Sequence, residues 1–183
     1  MTAPNEAQLE ALRARLAGTN IDPNSLLATD YLNHFNEVVM MFDLVPDMPE
    51  MIDDAKAWKP LSYCDHFRAS QFAERDLAVE AYGALADERR LSFEDAIAQT
   101  HARVAAGLGE LSEVIAAGGD ATRLRNQAME ISRDLQRLIE RVSIIIHGGM
   151  PALEQPDIDG MFPSVESGGA PRSSQDDIDA LFS

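Results

Sequence analysis

The feature that most constrains the fold is a pair of segments with a heptad repeat of apolar residues. They are joined by the turn sequence Gly118-Gly119-Asp120. In each segment the repeating positions are separated by alternating steps of three and four residues, which is typical of helices that pack along a seam. Because a glycine turn joins the segments, the pattern predicts an antiparallel hairpin of two long helices over about residues 92–147. The seam positions are Ile97, His101, Val104, Leu108, Leu111 and Ile115 in the first helix and Leu124, Ala128, Ile131, Leu135, Leu138, Val142 and Ile145 in the second.

The rest of the chain also favours helices. Aromatic residues make up only 6% of the sequence, whereas good helix formers such as alanine, leucine, glutamate and arginine are plentiful. The spacing of apolar residues predicts helices over about 5–17, 22–43, 50–58 and 72–85. The hairpin is too long to cover its own seam, so we expect it to pack on these N-terminal helices or on a second copy in a homodimer.

These patterns divide the chain into three regions. An N-terminal helical region (1–90) precedes the hairpin (91–149), and a tail (150–183) follows. The tail is rich in proline, glycine and serine, a composition that predicts disorder. The expected fold class is therefore all-α and bundle-like, with a disordered C-terminal tail.

Charge and cysteine content exclude several classes of function. The formal net charge of −16 argues against binding to nucleic acid or to an anionic membrane, and it suits a partner with a basic surface. Cys64 is the only cysteine, so neither a disulfide nor a cysteine-rich metal site is expected. His34 and Glu37 form a single pair, where a di-iron bundle needs several, and we expect no metal and no cofactor. The sequence has neither a signal-peptide pattern nor an apolar stretch of membrane-spanning length, which predicts a cytoplasmic protein.

The tail contains one acidic and apolar phrase twice. In a helix, the Ile, the Met or Leu, and the Phe of each copy fall at positions i, i+3 and i+4 and form one apolar face. A helix this short is not stable alone in water, so each copy is predicted to fold against a surface. That surface belongs either to another protein or to the chain itself, since the five arginines of the last helix offer a basic patch for the acidic tail. The third alternative is that the two phrases are similar by chance. When the two copies are aligned, the residues of the first correspond one by one to those of the second. The first copy contains Asp157, Ile158, Asp159, Met161 and Phe162, and the second contains Asp177, Ile178, Asp179, Leu181 and Phe182.

The second copy, in the string SQDDIDALF, resembles a known class of peptide. It is similar to the N-terminal peptide of the flagellar motor switch family FliM and, more loosely, to the C-terminal peptide of the chemotaxis phosphatase family CheZ. Both peptides bind the phosphorylated response regulator CheY as short amphipathic helices. The resemblance implies that the ten tail residues contact a CheY-like regulator. It covers about nine residues per copy, and the position after a helical region follows the CheZ arrangement.

The string FEDAIAQTHAR in the hairpin is also similar to a CheZ string, with matches at Phe93, Asp95, Gln99 and Arg103. Phosphatases of the CheZ family insert an Asp and a Gln, spaced D-x-x-x-Q on one helix, into the active site of the regulator. The resemblance implies that Gln99 orients the water that attacks the aspartyl phosphate, with Asp95 beside it. By the heptad count both residues lie off the seam, on one exposed face of the helix. An exposed Asp-Gln pair is also common on ordinary solvated faces.

Three functions remain open from the sequence. The leading one is a chemotaxis or motility accessory protein that binds a phosphorylated CheY-like response regulator through its tail, as an adaptor or a regulator of a phosphate sink. The second is a CheZ-like phosphatase that uses Asp95 and Gln99 as catalytic residues. The third is a helical scaffold whose tail docks on its own domain.

Overall fold

The computed structural model describes residues 5–149, which form seven α-helices without a β-strand. The all-α prediction is therefore confirmed for this part of the chain, and the tail 150–183 lies outside it. None of the helices described combines the length and hydropathy that a membrane crossing requires. The helices are α1 (Glu6–Leu16), α2 (Leu32–Leu44), α3 (Met51–Ala57), α4 (Tyr63–Ala69), α5 (Arg75–Gly83), α6 (Asp87–Ala116) and α7 (Ala121–Ile146).

The predicted hairpin is formed by α6 and α7. The α6 helix ends with Gly118 at φ +65°, a conformation that favours glycine, and Gly119 N–H donates to the Val114 carbonyl at 2.9 Å. Asp120 then begins α7, because its carboxylate accepts the Arg123 N–H at 2.8 Å. Local turn and capping chemistry therefore reverses the chain where the sequence predicts.

The hairpin packs on α2, as one of the two predicted arrangements requires. Asp43 on α2 accepts a hydrogen bond from Ser132 Oγ at 2.6 Å, and Asp47 pairs with Arg125 at 2.6 Å. Where α2, α6 and α7 meet, a Cβ atom on Gly107 would lie 2.7 Å from Ile131 Cγ2 and 3.3 Å from Phe42 Cε2. Glycine is needed here because any side chain would force the helices apart. A homodimer through the hairpin stays a prediction.

Two of the predicted helix starts are wrong. The helix predicted from Asp22-Pro23 begins ten residues later, at Leu32. The Asp22 carboxylate instead accepts the N–H groups of Asn24 and Ser25, which closes a turn, and Leu26 then has φ +63°. The first helix of the hairpin begins at Asp87, five residues before the predicted start at 92, so it includes the end of the predicted N-terminal region.

Trp58 joins two apolar clusters in the core. One cluster contains Tyr31, Phe35 and Phe93, and the other contains Phe42 and Ile131; Trp58 packs against both. Its indole N–H donates to the His34 carbonyl at 3.1 Å, and its ring stacks on the His34 imidazole at 4.5 Å between centroids. The aromatic residues of the 43–70 region are thus core residues rather than a surface.

Three histidines surround this junction. His34 Nε2 accepts the Leu61 N–H at 3.1 Å, and its ring lies 5.6 Å from that of His66 and 6.4 Å from that of His101. Burial, with smaller effects from His66 and His101, lowers the pKa of His34 to about 4. Burial also lowers the pKa values of His66 and His101, although Glu37 and Asp30 oppose the shift at His66. Residues 5–149 contain no group of three or more acidic, histidine or cysteine side chains placed to hold a metal ion.

These depressed pKa values predict that the protein loses stability between pH 7.5 and pH 5.5. In this range the unfolded chain protonates its histidines, with pKa near 6.5, while the lowered pKa values leave the folded protein with fewer bound protons, so acid favours unfolding. Urea unfolding at the two pH values should show a lower midpoint at pH 5.5. His34→Gln should flatten this dependence; an equal slope in the variant and the unmodified protein would contradict the prediction.

Candidate functional site

Asp95 and Gln99 lie one turn apart on the exposed side of α6, where the heptad positions predict them. The Gln99 amide nitrogen donates to Asp95 Oδ2 at 2.8 Å. This contact within one helix holds the Gln99 side chain against its own helix. It also leaves the second N–H of the amide available to another acceptor.

Arg141 on α7 completes the polar group. Its Nη1 donates to Gln99 Oε1 at 3.1 Å, across the hairpin. An arginine can only donate, so the contact requires the amide oxygen to face Arg141 and the amide nitrogen to face Asp95. Within residues 5–149, one oxygen lone pair and one N–H of Gln99 have no partner. One acceptor and one donor are the minimum for holding a water molecule in a defined orientation. Arg141 Nε is buried and has no hydrogen-bond partner among residues 5–149.

Sequence reasoning missed Arg141, although a signal for it exists. In an antiparallel hairpin, residues at equal distance from the turn lie opposite each other. Gln99 precedes Gly119 by 20 residues and Arg141 follows it by 22, so the two belong to neighbouring levels of the hairpin. Counting outward from a predicted turn would have placed the guanidinium beside the amide.

Two large apolar side chains flank this polar group. Leu91, one turn before Asp95 on α6, is 66% exposed, and Ile144, three residues after Arg141 on α7, is 38% exposed. We call Leu91, Asp95, Gln99, Arg141 and Ile144 the Gln99 surface. Single exposed apolar side chains are common on protein surfaces, so these two by themselves do not mark a binding site.

The other two positions of the CheZ-like string have structural roles. Phe93 is buried, with its ring 5.6 Å from Tyr63 and 6.0 Å from Tyr31. Arg103 bridges the hairpin, pairing with Asp134 at 3.1 Å and with Glu110 at 3.0 Å. Of the four matching residues, only Asp95 and Gln99 are exposed to a partner.

The predicted binding residues of the tail lie outside the described residues. They are Asp157, Ile158, Asp159, Met161 and Phe162 in the first copy and Asp177, Ile178, Asp179, Leu181 and Phe182 in the second. The motifs therefore remain sequence predictions, while the geometry of the Gln99 surface is defined. Comparisons with protein-family models, with curated proteins and with solved structures find no match to this chain.

Proposed function

We propose that this protein is a cytoplasmic accessory protein of chemotaxis or motility that binds a phosphorylated CheY-like response regulator through the two motifs of its tail. The observation that carries the proposal is the repetition of the phrase D-I-D-x-[ML]-F, with the same acidic and apolar positions in both copies. Repetition supports a binding role because an accidental apolar phrase in a tail rich in polar residues has no reason to recur.

The expected energetics suit a reversible signal. Three anchors per copy contribute roughly 1.5–3 kcal/mol each on burial, and ordering the peptide offsets a large part of this. A single copy should therefore bind with a Kd on the order of 10 μM to 1 mM. If the tail is disordered, as its composition predicts, two copies on it raise the local concentration of the motif to about the mM range. That concentration strengthens retention of a partner that has more than one binding site or is itself clustered.

A synthetic peptide of residues 173–183 tests the proposal directly. It should bind a CheY-like regulator more tightly when the phosphoryl group, or a beryllofluoride substitute for it, is present. The matched control is the same peptide with Ile178, Leu181 and Phe182 changed to alanine, which keeps every charge and removes the apolar face. Equal binding of the two peptides, or equal binding to both forms of the regulator, would contradict the proposal.

The Gln99 surface favours a second candidate function, a phosphatase acting on the bound regulator. An amide with one free donor and one free acceptor, next to a guanidinium that suits phosphoryl oxygens, can orient an attacking water while the regulator supplies its own metal and phosphoryl group. The exposed Leu91 and Ile144 would provide the apolar contacts of docking. This candidate requires no further cofactor.

Gln99→Ala is expected to reduce phosphate loss from the regulator by about 10–100-fold relative to the unmodified protein, since the water would lose its orienting group. Binding through the tail should persist. Gln136→Ala, on the exposed side of α7, is the control and should leave the rate unchanged. If the unmodified protein does not accelerate phosphate loss at all, the adaptor function stands alone. If neither motif binds a regulator, the self-docking scaffold becomes the better explanation.

A further inference from the structure

A cavity of about 910 Å³ lies at the start of α6 and shares no lining residue with the Gln99 surface. Its walls come from α1, from the turn at 24–26 and from the α5–α6 corner. The volume is in the upper part of the range for small-molecule sites in proteins, about 300–1,000 Å³. It is therefore large enough for an organic ligand and much larger than a single inorganic anion needs.

Three arginines line this cavity, against two acids. Arg13 comes from α1, Arg89 and Arg90 come from the first turn of α6, and the acids are Asp87 and Glu94. The chain as a whole has only 15 basic side chains and a net charge of −16. The lining thus carries one more positive than negative side chain in a strongly acidic protein, a charge balance that favours a negative ligand at this place.

The arginines are positioned by backbone contacts. Arg13 Nε donates to the Pro23 carbonyl at 3.1 Å, and Arg90 Nη2 donates to the Leu85 carbonyl at 2.8 Å. These contacts fix both guanidinium groups and leave other N–H donors unused. Arg90 Nε is buried, and it has no hydrogen-bond partner in the part of the chain that the structure describes. Arg89 makes no ion pair within residues 5–149, whereas Arg90 pairs with Asp87.

The α6 helix adds a further positive contribution at the same point. Its N-cap residue, Ala86, has no side chain that could accept from the first N–H groups, so these groups are open to a ligand. Their partial positive charge adds to that of the arginines, although the two acids of the first turn, Glu88 and Asp87, the latter 3.5 Å from Arg90, offset part of it. The remaining lining includes the apolar residues Leu9, Leu26 and Leu85 and the ring of Tyr82.

We propose that this cavity binds a phosphorylated organic molecule of about nucleotide size. Its phosphate groups lie between Arg13, Arg89 and the start of α6, because guanidinium groups match phosphate oxygens in geometry as well as charge. Its apolar or planar part rests on Leu9 and Tyr82, since Leu26 and Leu85 are buried in the core. The proposal does not depend on the tail motifs or on the Gln99 surface, so it stands or falls separately from the proposed function.

The test uses the full chain at low ionic strength with three probes: ATP, inorganic phosphate and adenosine, measured by calorimetric titration. ATP should bind measurably, while phosphate and adenosine should each bind at least tenfold more weakly, since each lacks one half of the ligand. Arg13→Gln with Arg89→Gln should weaken ATP binding at least tenfold. The single Arg89→Gln change, which removes no hydrogen bond or ion pair within residues 5–149, should weaken it severalfold even if the double variant folds poorly.

The control is Arg123→Gln with Arg133→Gln, which removes the same charge from the exposed side of α7. It should bind ATP as the unmodified protein does. Loss of binding in the control as well would show a general charge effect and overturn the site. If inorganic phosphate binds as tightly as ATP, the cavity is only an anion site and the proposal is wrong. The absence of ATP binding would also overturn the proposal.

Discussion

Replacing Phe162 and Phe182 together by alanine is expected to abolish retention of a phosphorylated CheY-like regulator by the intact protein. Each phenylalanine is the largest anchor of its motif, and losing its burial costs roughly 1.5–3 kcal/mol, or about 10–150-fold in the Kd of that copy. A single motif is already predicted to bind weakly. Loss of its phenylalanine should therefore make the binding of that copy barely detectable. The two changes together remove the benefit of having two copies as well.

A pull-down with the intact chain measures this, with each single variant as an intermediate. Val165→Ala is the matched control, since Val165 is an apolar residue between the motifs that belongs to neither phrase. The control should retain as much regulator as the unmodified protein, and each single variant should retain less. Recovery of the same regulator by the double variant and the unmodified protein would refute the proposal that the tail carries binding.

Phe42→Ala should lower the free energy of unfolding by about 3–5 kcal/mol, a large part of the stability of an ordinary domain. Phe42 is fully buried at the meeting point of α2, α6 and α7, and its ring approaches Gly107 and Ile131. Because the helices already approach closely at Gly107, we expect them to relax only partly around the missing ring and to leave a cavity. Urea unfolding followed by circular dichroism gives the change directly.

Met40→Ala provides the control on the same helix. Met40 is 65% exposed, so its truncation removes little buried area and should change the stability by no more than about 0.5 kcal/mol. A loss below about 1 kcal/mol for Phe42→Ala would mean that the helices do relax into the space. That outcome would contradict the close packing around Gly107.

Helix ends set by contacts between sequence neighbours were predicted correctly, whereas a helix start that depends on contacts between distant residues was not. Asp120 and the glycines before it act on neighbouring residues, so the hairpin turn could be read from the sequence. Asp22 offers the same cap chemistry, but its carboxylate closes a turn instead of starting a helix. The buried Ser25 hydroxyl donates to the Ile146 carbonyl at the end of α7, a contact 121 residues away in the chain that favours the turn and has no local signature.

The same distinction applies to the candidate sites. Asp95 and Gln99 share a face because they are one turn apart on a single helix, and the repeated tail phrase needs no fold to be recognised. Arg141 beside Gln99, and Arg13 across the cavity from Arg89, come from different helices.

Periodicity, capping and turn residues thus specify the all-α class and the hairpin, since each depends on interactions within a few residues. The packing of α2 on the hairpin, the second half of the Gln99 surface and the arginine-lined cavity depend on how helices pack side by side. Those contacts arise from the shapes of many buried side chains at once, such as Phe42 against Gly107, and no short segment of the sequence encodes them.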